Sequence, residues 1–253
     1  MSRTEGTAGE ADLRREGSGR PRPSSALVVG ADGALGRAVA GWLLERGWAV
    51  LGTYRDPERR REAAQELDGL AAGGRLRWLR ADLRRPAGAE RAVAACLRWQ
   101  GRIDAAVHTA GGFAMEEVTG GSWATWERLI ETNVRTAFEL VQAVVPPMRE
   151  AGAGAVVLVA ARAATGRAGR GMGAYAAAKS ALLRLAEALS EELEGSGVRV
   201  NVLAPSVIDT PANRQAMPGA RREGWRSPAE LASLVGWLLS PEAAAVRGQL
   251  LLA

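Results

Sequence analysis

Residues 25–37 read Ser-Ala-Leu-Val-Val-Gly-Ala-Asp-Gly-Ala-Leu-Gly-Arg. The run from Ala26 to Gly30 is short and apolar, which predicts a buried strand. A helical pattern follows over residues 34–46. Between them lies a glycine-rich turn, Gly30-Ala31-Asp32-Gly33-Ala34-Leu35-Gly36-Arg37. Such a turn lets backbone N–H groups approach a pyrophosphate, and the helix N-terminus adds a favourable field. Glycine spacing alone is a weak signal in a chain with 31 glycines. Its place directly after the first buried strand makes it a strong one.

The same alternation continues outward from this unit. Strands are expected over residues 49–53, 76–79, 103–108, 155–160, 198–203 and 249–252. Helices are expected over 58–71, 87–99, 123–150 (broken at Pro146-Pro147), 173–194 (closed by Gly195) and 228–239. Apolar strands alternating with helices imply a parallel sheet covered on both faces. Seven strands with right-handed crossovers give a doubly wound α/β Rossmann fold. Residues 204–227, with three prolines, are expected to form a long functional loop. Residues 1–24 are rich in Gly, Ser, Arg, Glu and Pro and are read as a disordered tail, leaving residues 25–253 as a single Rossmann-type domain.

Composition narrows the function classes. The chain has 253 residues and a net charge of +5, with one cysteine (Cys96) and one histidine (His108). That excludes a disulfide framework and a cysteine- or histidine-based metal site, so no metal is expected. No apolar run reaches membrane-spanning length and no secretory h-region opens the chain, so a cytoplasmic protein without membrane association is expected. Of 33 basic residues, 32 are arginine and one is Lys179. Alanine makes up about a fifth of the chain. This combination is read as codon drift, not as a basic binding surface. The isoelectric point of about 10.4 follows from how few groups titrate between neutrality and the arginine range. Arginine is interleaved with acid throughout, so a nucleic-acid partner is not expected.

The second strand ends at Tyr54-Arg55, where an acid would bind the adenosine ribose of NAD. With no acid there, Arg55 and Arg37 would suit the 2′-phosphate of NADP. NADP(H) is therefore expected over NAD(H). Asp82, after the third strand, is placed to accept from the adenine amino group. Tyr175 and Lys179 lie four residues apart, on one face of a helix. A cation about 5 Å from a phenol favours the phenolate by roughly 3 kcal/mol, or about 2 pKa units, at an effective dielectric near 20. The spacing thus predicts an acid/base phenol near neutrality. The only lysine stands beside one of two tyrosines, Tyr54 being the other.

With these residues the chain resembles the short-chain dehydrogenase/reductases over residues 25–253. The resemblance rests on the glycine turn, Ala110-Gly111, Asn133 in Thr-Asn-Val, the Tyr175/Lys179 pair and Asn201-Val-Leu-Ala-Pro205. It implies that Tyr175 donates a proton, that Lys179 binds the nicotinamide ribose, and that Asn133 holds a relay water. It also implies cofactor contacts from Leu83, Gly112, Val207 and Thr210, a small-molecule substrate, and a homodimer or homotetramer. Ala174, Ala177, Ala181 and Ala188 would form a small-residue side on the Tyr/Lys helix for that assembly.

Three departures stand out. Ala34 replaces the middle glycine, His108-Thr109 replaces the usual Asn-Asn, and Arg162 stands where the catalytic serine belongs, with Thr165 the nearest downstream hydroxyl. The dihydropteridine-reductase-like branch also lacks that serine. It resembles this chain further in Ala110-Gly111-Gly112-Phe113 and in the loop Asp209–Pro218. The substrate expected is a small cyclic carbonyl or an imine-like, quinonoid ring, contacted by Phe113, Arg162 and Asn213. The alternatives are a dihydropteridine reductase proper and a cofactor-binding sensor or scaffold without turnover.

Overall fold

The structure, a computed structural model, describes residues 24–253. The expected tail therefore lies outside the described residues, apart from Ser24. The chain runs β1 (Ser25–Val29), α1 (Ala34–Glu45), β2 (Ala49–Tyr54), α2 (Pro57–Leu67), β3 (Leu76–Arg80), α3 (Pro86–Gln100) and β4 (Ala105–His108). It continues with α4 (Trp123–Leu129), α5 (Thr136–Glu150), β5 (Gly154–Val159), α6 (Gly173–Glu192), β6 (Val198–Ala204), α7 (Pro211–Ala216), α8 (Pro228–Leu239) and β7 (Leu250–Leu252). All seven strands are parallel, in the order β3-β2-β1-β4-β5-β6-β7. The strand order reverses between β1 and β4, so a crevice opens at the carboxyl ends of those two strands.

Strand side chains alternate between two cores. Leu27, Ala106, Leu158 and Val202 face one side, against Val93 of α3, Leu140 and Val144 of α5, and Leu182 of α6. Ala26, Val28, Val107 and Leu203 face the other, against Val39 and Leu43 of α1 and Leu231 and Val235 of α8. Each fully buried leucine or valine contributes about 2 kcal/mol from removal of its apolar surface from water.

Two expectations are corrected. The helix expected over residues 123–150 is not broken at Pro146-Pro147, which both sit inside α5. It is broken earlier, by a widened π-helical turn over Ile130–Arg135. Asn133 lies in that turn, and its side-chain amide donates to the Leu129 carbonyl at 2.9 Å, competing with the helical ladder. Residues 204–227 are not wholly irregular either. Thr210 caps α7 through the Asn213 N–H at 3.2 Å, and Pro211 supplies the first helical position. Ile208 and Arg226 pair as an isolated bridge that closes the base of the loop.

Candidate active site

The glycine turn follows β1 with Gly30 at φ +81°, a conformation glycine adopts without penalty. A Cβ on Gly30 would lie 2.9 Å from the Ala110 backbone nitrogen. At Gly36 a Cβ would overlap the Gly30 carbonyl oxygen, so α1 packs directly on the end of β1. No side chain caps the N-terminus of α1 at Gly33. The first-turn N–H groups of Ala34, Leu35 and Gly36 therefore have no side-chain acceptor from the cap, which suits an incoming anion.

In front of this turn lies an open cleft. Gly30, Asp32, Gly33, Tyr54, Arg55, Asp82, Leu83, Ala110 and Gly111, all candidates from the sequence, line it. Its position over β1 and β4, with glycine backbone on one wall, fits a dinucleotide. Arg37 is placed differently: it is not on the lining, and its guanidinium is held by Glu66 at 2.7 Å. Arg59 lines the cleft instead, with its Nη2 3.5 Å from where a Gly33 Cβ would stand. Asp56 caps α2 by accepting from the Glu58 N–H at 2.9 Å, which puts Arg59 in the first turn. That cap was the sequence signal for Arg59. Thr53, Thr109, Thr132 and Thr136 also line the cleft; Thr109 and Thr132 stand within motifs singled out for their neighbours, and Thr53 and Thr136 carry no signal of their own. Asp82 accepts from both Arg84 Nε and Nη2, at 2.9 and 2.6 Å, and these bonds hold its carboxyl down at about 2.

Gly111 joins the cleft to the region of Asn133 and Lys179. A Cβ there would fall 2.7 Å from Asn133 Oδ1 and 3.1 Å from Lys179 Nζ. Asn133 is fully buried. Its Oδ1 accepts from the Gly112 N–H at 3.2 Å, and its Nδ2 donates to the Gly112 carbonyl at 3.1 Å. Lys179 is buried and donates to the Val159 carbonyl at 2.9 Å. The Phe113 ring meets the Tyr175 ring edge to face, with centroids 4.9 Å apart and planes at 78°.

The electrostatics differ from the expectation drawn from the Tyr/Lys spacing. Burial pushes the Tyr175 phenol up to about 12, and burial lowers Lys179 to about 8. Desolvation disfavours both charged forms, and Lys179 is turned to a backbone carbonyl. Tyr175 is therefore a protonated phenol at ordinary pH, and a weaker acid than a free phenol.

His108 is fully buried, with Nε2 2.8 Å from Thr136 Oγ1. Burial first, and the Lys179 charge second, bring it down to about 3, so it is neutral at ordinary pH.

At the serine position, Ala160 and Ala161 are buried and Arg162 opens a single 3₁₀ turn with its side chain exposed. The Thr165 hydroxyl donates to the Arg162 carbonyl at 2.8 Å, so it is engaged in its own turn. The Arg162 N–H donates to the Pro205 carbonyl at 2.8 Å, tying this turn to the end of β6. The Asn213 amide donates to the Ile208 carbonyl at 2.8 Å, and Val207 accepts from the Arg226 N–H at 3.0 Å. Phe113 is thus brought to Tyr175. Among the described residues no hydrogen bond links the side chain of Arg162 or Asn213 to Tyr175 or Lys179. Gly112, Pro205, Val207 and Thr210 lie outside the cleft lining.

Comparison with known proteins matches residues 24–220 to the family model described as short chain dehydrogenase. The chain is 32% identical over 236 residues to the 3-oxoacyl-[acyl-carrier-protein] reductase FabG of Salmonella typhimurium, covering 89% of this chain and 93% of that one. It is 30% identical over 232 residues to the D-threitol dehydrogenase of Mycolicibacterium smegmatis, covering 88% of each. The solved structure of a short-chain type dehydrogenase/reductase from Mycobacterium ulcerans aligns with a TM-score of 0.86 at 29% identity, covering 92% of this chain and 88% of that one.

Proposed function

The chain belongs to the short-chain dehydrogenase family and is an NAD(P)-dependent oxidoreductase, and from that premise we propose that it reduces a small cyclic carbonyl or imine-like ring, with Tyr175 as proton donor. The carrying observation is the half-buried Tyr175 one helical turn from the buried Lys179, with Arg162 at the serine position. A reduced nicotinamide dinucleotide, held along the cleft by Gly30, Gly33 and Gly111, would supply the hydride when bound. Tyr175 Oη gives its proton to the substrate heteroatom. Lys179 offsets the phenolate charge that results, and Asn133 fixes the Gly112 backbone.

A carbonyl oxygen gathers negative charge during reduction and gains from a second donor, worth roughly 10²–10³ in rate. An imine-like nitrogen protonated by Tyr175 needs that donor less. The absence of a hydroxyl at Arg162 supports the second substrate type, in the manner of the dihydropteridine-reductase-like branch. A second reading comes from the relatives whose names specify 3-oxoacyl and acetoacetyl thioester reduction. The Arg162 departure weighs against it.

NADP(H) is the cofactor this reading prefers, supported by Arg55 and Arg59 on the cleft and by the lack of an acid at Tyr54. A cytoplasmic homodimer or homotetramer is proposed with it, on the outward-facing Ala177 and Ala188 and the half-buried Ala181 of α6. Ala174 is buried inward against Leu129 and does not contribute to that side. No described helix is long and apolar enough to cross a membrane, and no metal-binding cluster of His, Cys, Asp or Glu occurs among the described residues.

NADPH consumption should be compared on quinonoid dihydropterin, cyclic imines, simple ketones and a 3-oxoacyl thioester. Turnover concentrated on the first two supports the proposal. Turnover confined to the thioester transfers it to the second reading, and tight cofactor binding without any turnover favours a sensor.

A further inference from the structure

Phe113 is the apolar side chain in closest ring contact with the reacting phenol, yet it is 57% exposed. Its backbone position is not left to the loop. The residue before it, Gly112, is gripped on both its N–H and its carbonyl by the buried Asn133 amide. A third bond, from the same amide to the Leu129 carbonyl, fixes Asn133 itself. At Gly112 a Cβ would lie 3.0 Å from Thr132 Oγ1, so the backbone is held close to the π-helical turn. The helix distortion at Ile130–Arg135 thus sets where Phe113 stands, and Phe113 stands edge to face on Tyr175.

We propose that Phe113 is a positioning residue for Tyr175: its ring holds the phenol in its donating orientation and keeps water from its flank. This rests on the reading of Tyr175 as proton donor. Tyr175 also packs against a small buried cluster of Leu129, Ala174 and Ala178, which Trp126, Val134 and Ala114 flank as well. None of these is titratable. Lys179, one turn along α6, is the charged residue of that helix nearest to Tyr175 in sequence; Arg184, Glu187, Glu191 and Glu192 lie two or more turns further on. Burial is what raises the phenol, and the Phe113 ring stands directly against it.

The test is steady-state kinetics of Phe113→Ala, Phe113→Leu and Phe113→Tyr on the best substrate of the panel, with saturating NADPH. Phe113→Ala should lower kcat about 3- to 10-fold, the size expected from losing one aromatic pair, while KM changes less than about twofold. The alkaline limb of its kcat–pH profile should move to lower pH, because water reaches the phenol. Phe113→Tyr, which keeps the ring, should restore kcat and the profile, and Phe113→Leu should fall between. Should Phe113→Ala fail to fold, the Leu and Tyr variants carry the comparison. A rise in KM with kcat and the pH profile unmoved marks a substrate contact only and overturns the proposal, as does no change at all. Tyr175→Phe is assayed alongside. If it loses turnover while Phe113→Ala is unaffected, the positioning role alone is refuted. If it keeps full turnover, the donor reading falls and the positioning role with it.

Discussion

His108 gives the fold a pH dependence that can be worked out from the structure. It is the only histidine in the chain, so it is the one side chain whose ordinary pKa lies between pH 5 and 7. In the folded protein burial and the Lys179 charge hold it neutral down to about 3. In the unfolded chain it takes a proton near pH 6.5. The folded value is the depressed one, so its contribution to stability is present above about pH 6.5 and is lost as pH falls toward 3. Between pH 7 and pH 5 the unfolded state gains about 1.5 pKa units of proton binding that the folded state lacks, or about 2 kcal/mol. Urea unfolding of the wild type and of His108→Gln at the two pH values isolates this effect. The single-pH cost of losing the bond to Thr136 cancels within each variant, and carboxylates contribute equally to both proteins. The wild type should lose about 2 kcal/mol more than the variant on going to pH 5. Equal losses would refute the reasoning, and with it the neutral, buried state of His108.

Further outcomes follow from the site. Arg59→Ala should weaken NADPH binding about 10- to 100-fold, the worth of a charge-assisted bond to phosphate, and leave NADH binding unchanged in the same calorimetric titration; equal weakening of both would remove Arg59 from 2′-phosphate recognition. Gly36→Ala should cost roughly 3 kcal/mol in thermal or urea melts, because its Cβ would meet the Gly30 carbonyl and come within 2.8 Å of Ala31 Cα, both backbone atoms that cannot move aside. Arg162→Ser should raise kcat/KM on simple ketones by about tenfold or more while changing imine reduction little, since it adds a donor that only a developing oxyanion needs.

Much of the fold was written in local pattern. The strands are apolar runs, and glycine stands where β1 meets α1 because no side chain fits against the Gly30 carbonyl. Tyr175, Lys179 and Asn133 were legible because their types are scarce in this chain. What escaped depended on partners distant in sequence. Asn133 distorts its helix because Gly112 lies across from it, a pairing over 21 residues that periodicity does not register. Pro146 and Pro147 looked like the break, yet α5 runs through both to Glu150. Arg37 and Arg59 were equally suitable by type, and only Glu66, 29 residues from Arg37, draws the first away from the cleft. The Tyr175 ionisation went the opposite way from the spacing argument because helical spacing fixes a face and not its burial.

The central claim is that Tyr175 delivers the proton to a substrate reduced in this cleft. Single-turnover NADPH oxidation by Tyr175→Phe, with NADPH affinity measured on the same sample, tests it most directly. The account predicts a loss of at least about 10²-fold in the rate, the range of general acid catalysis, with the NADPH dissociation constant unchanged. Full-rate turnover by the phenylalanine variant would contradict it.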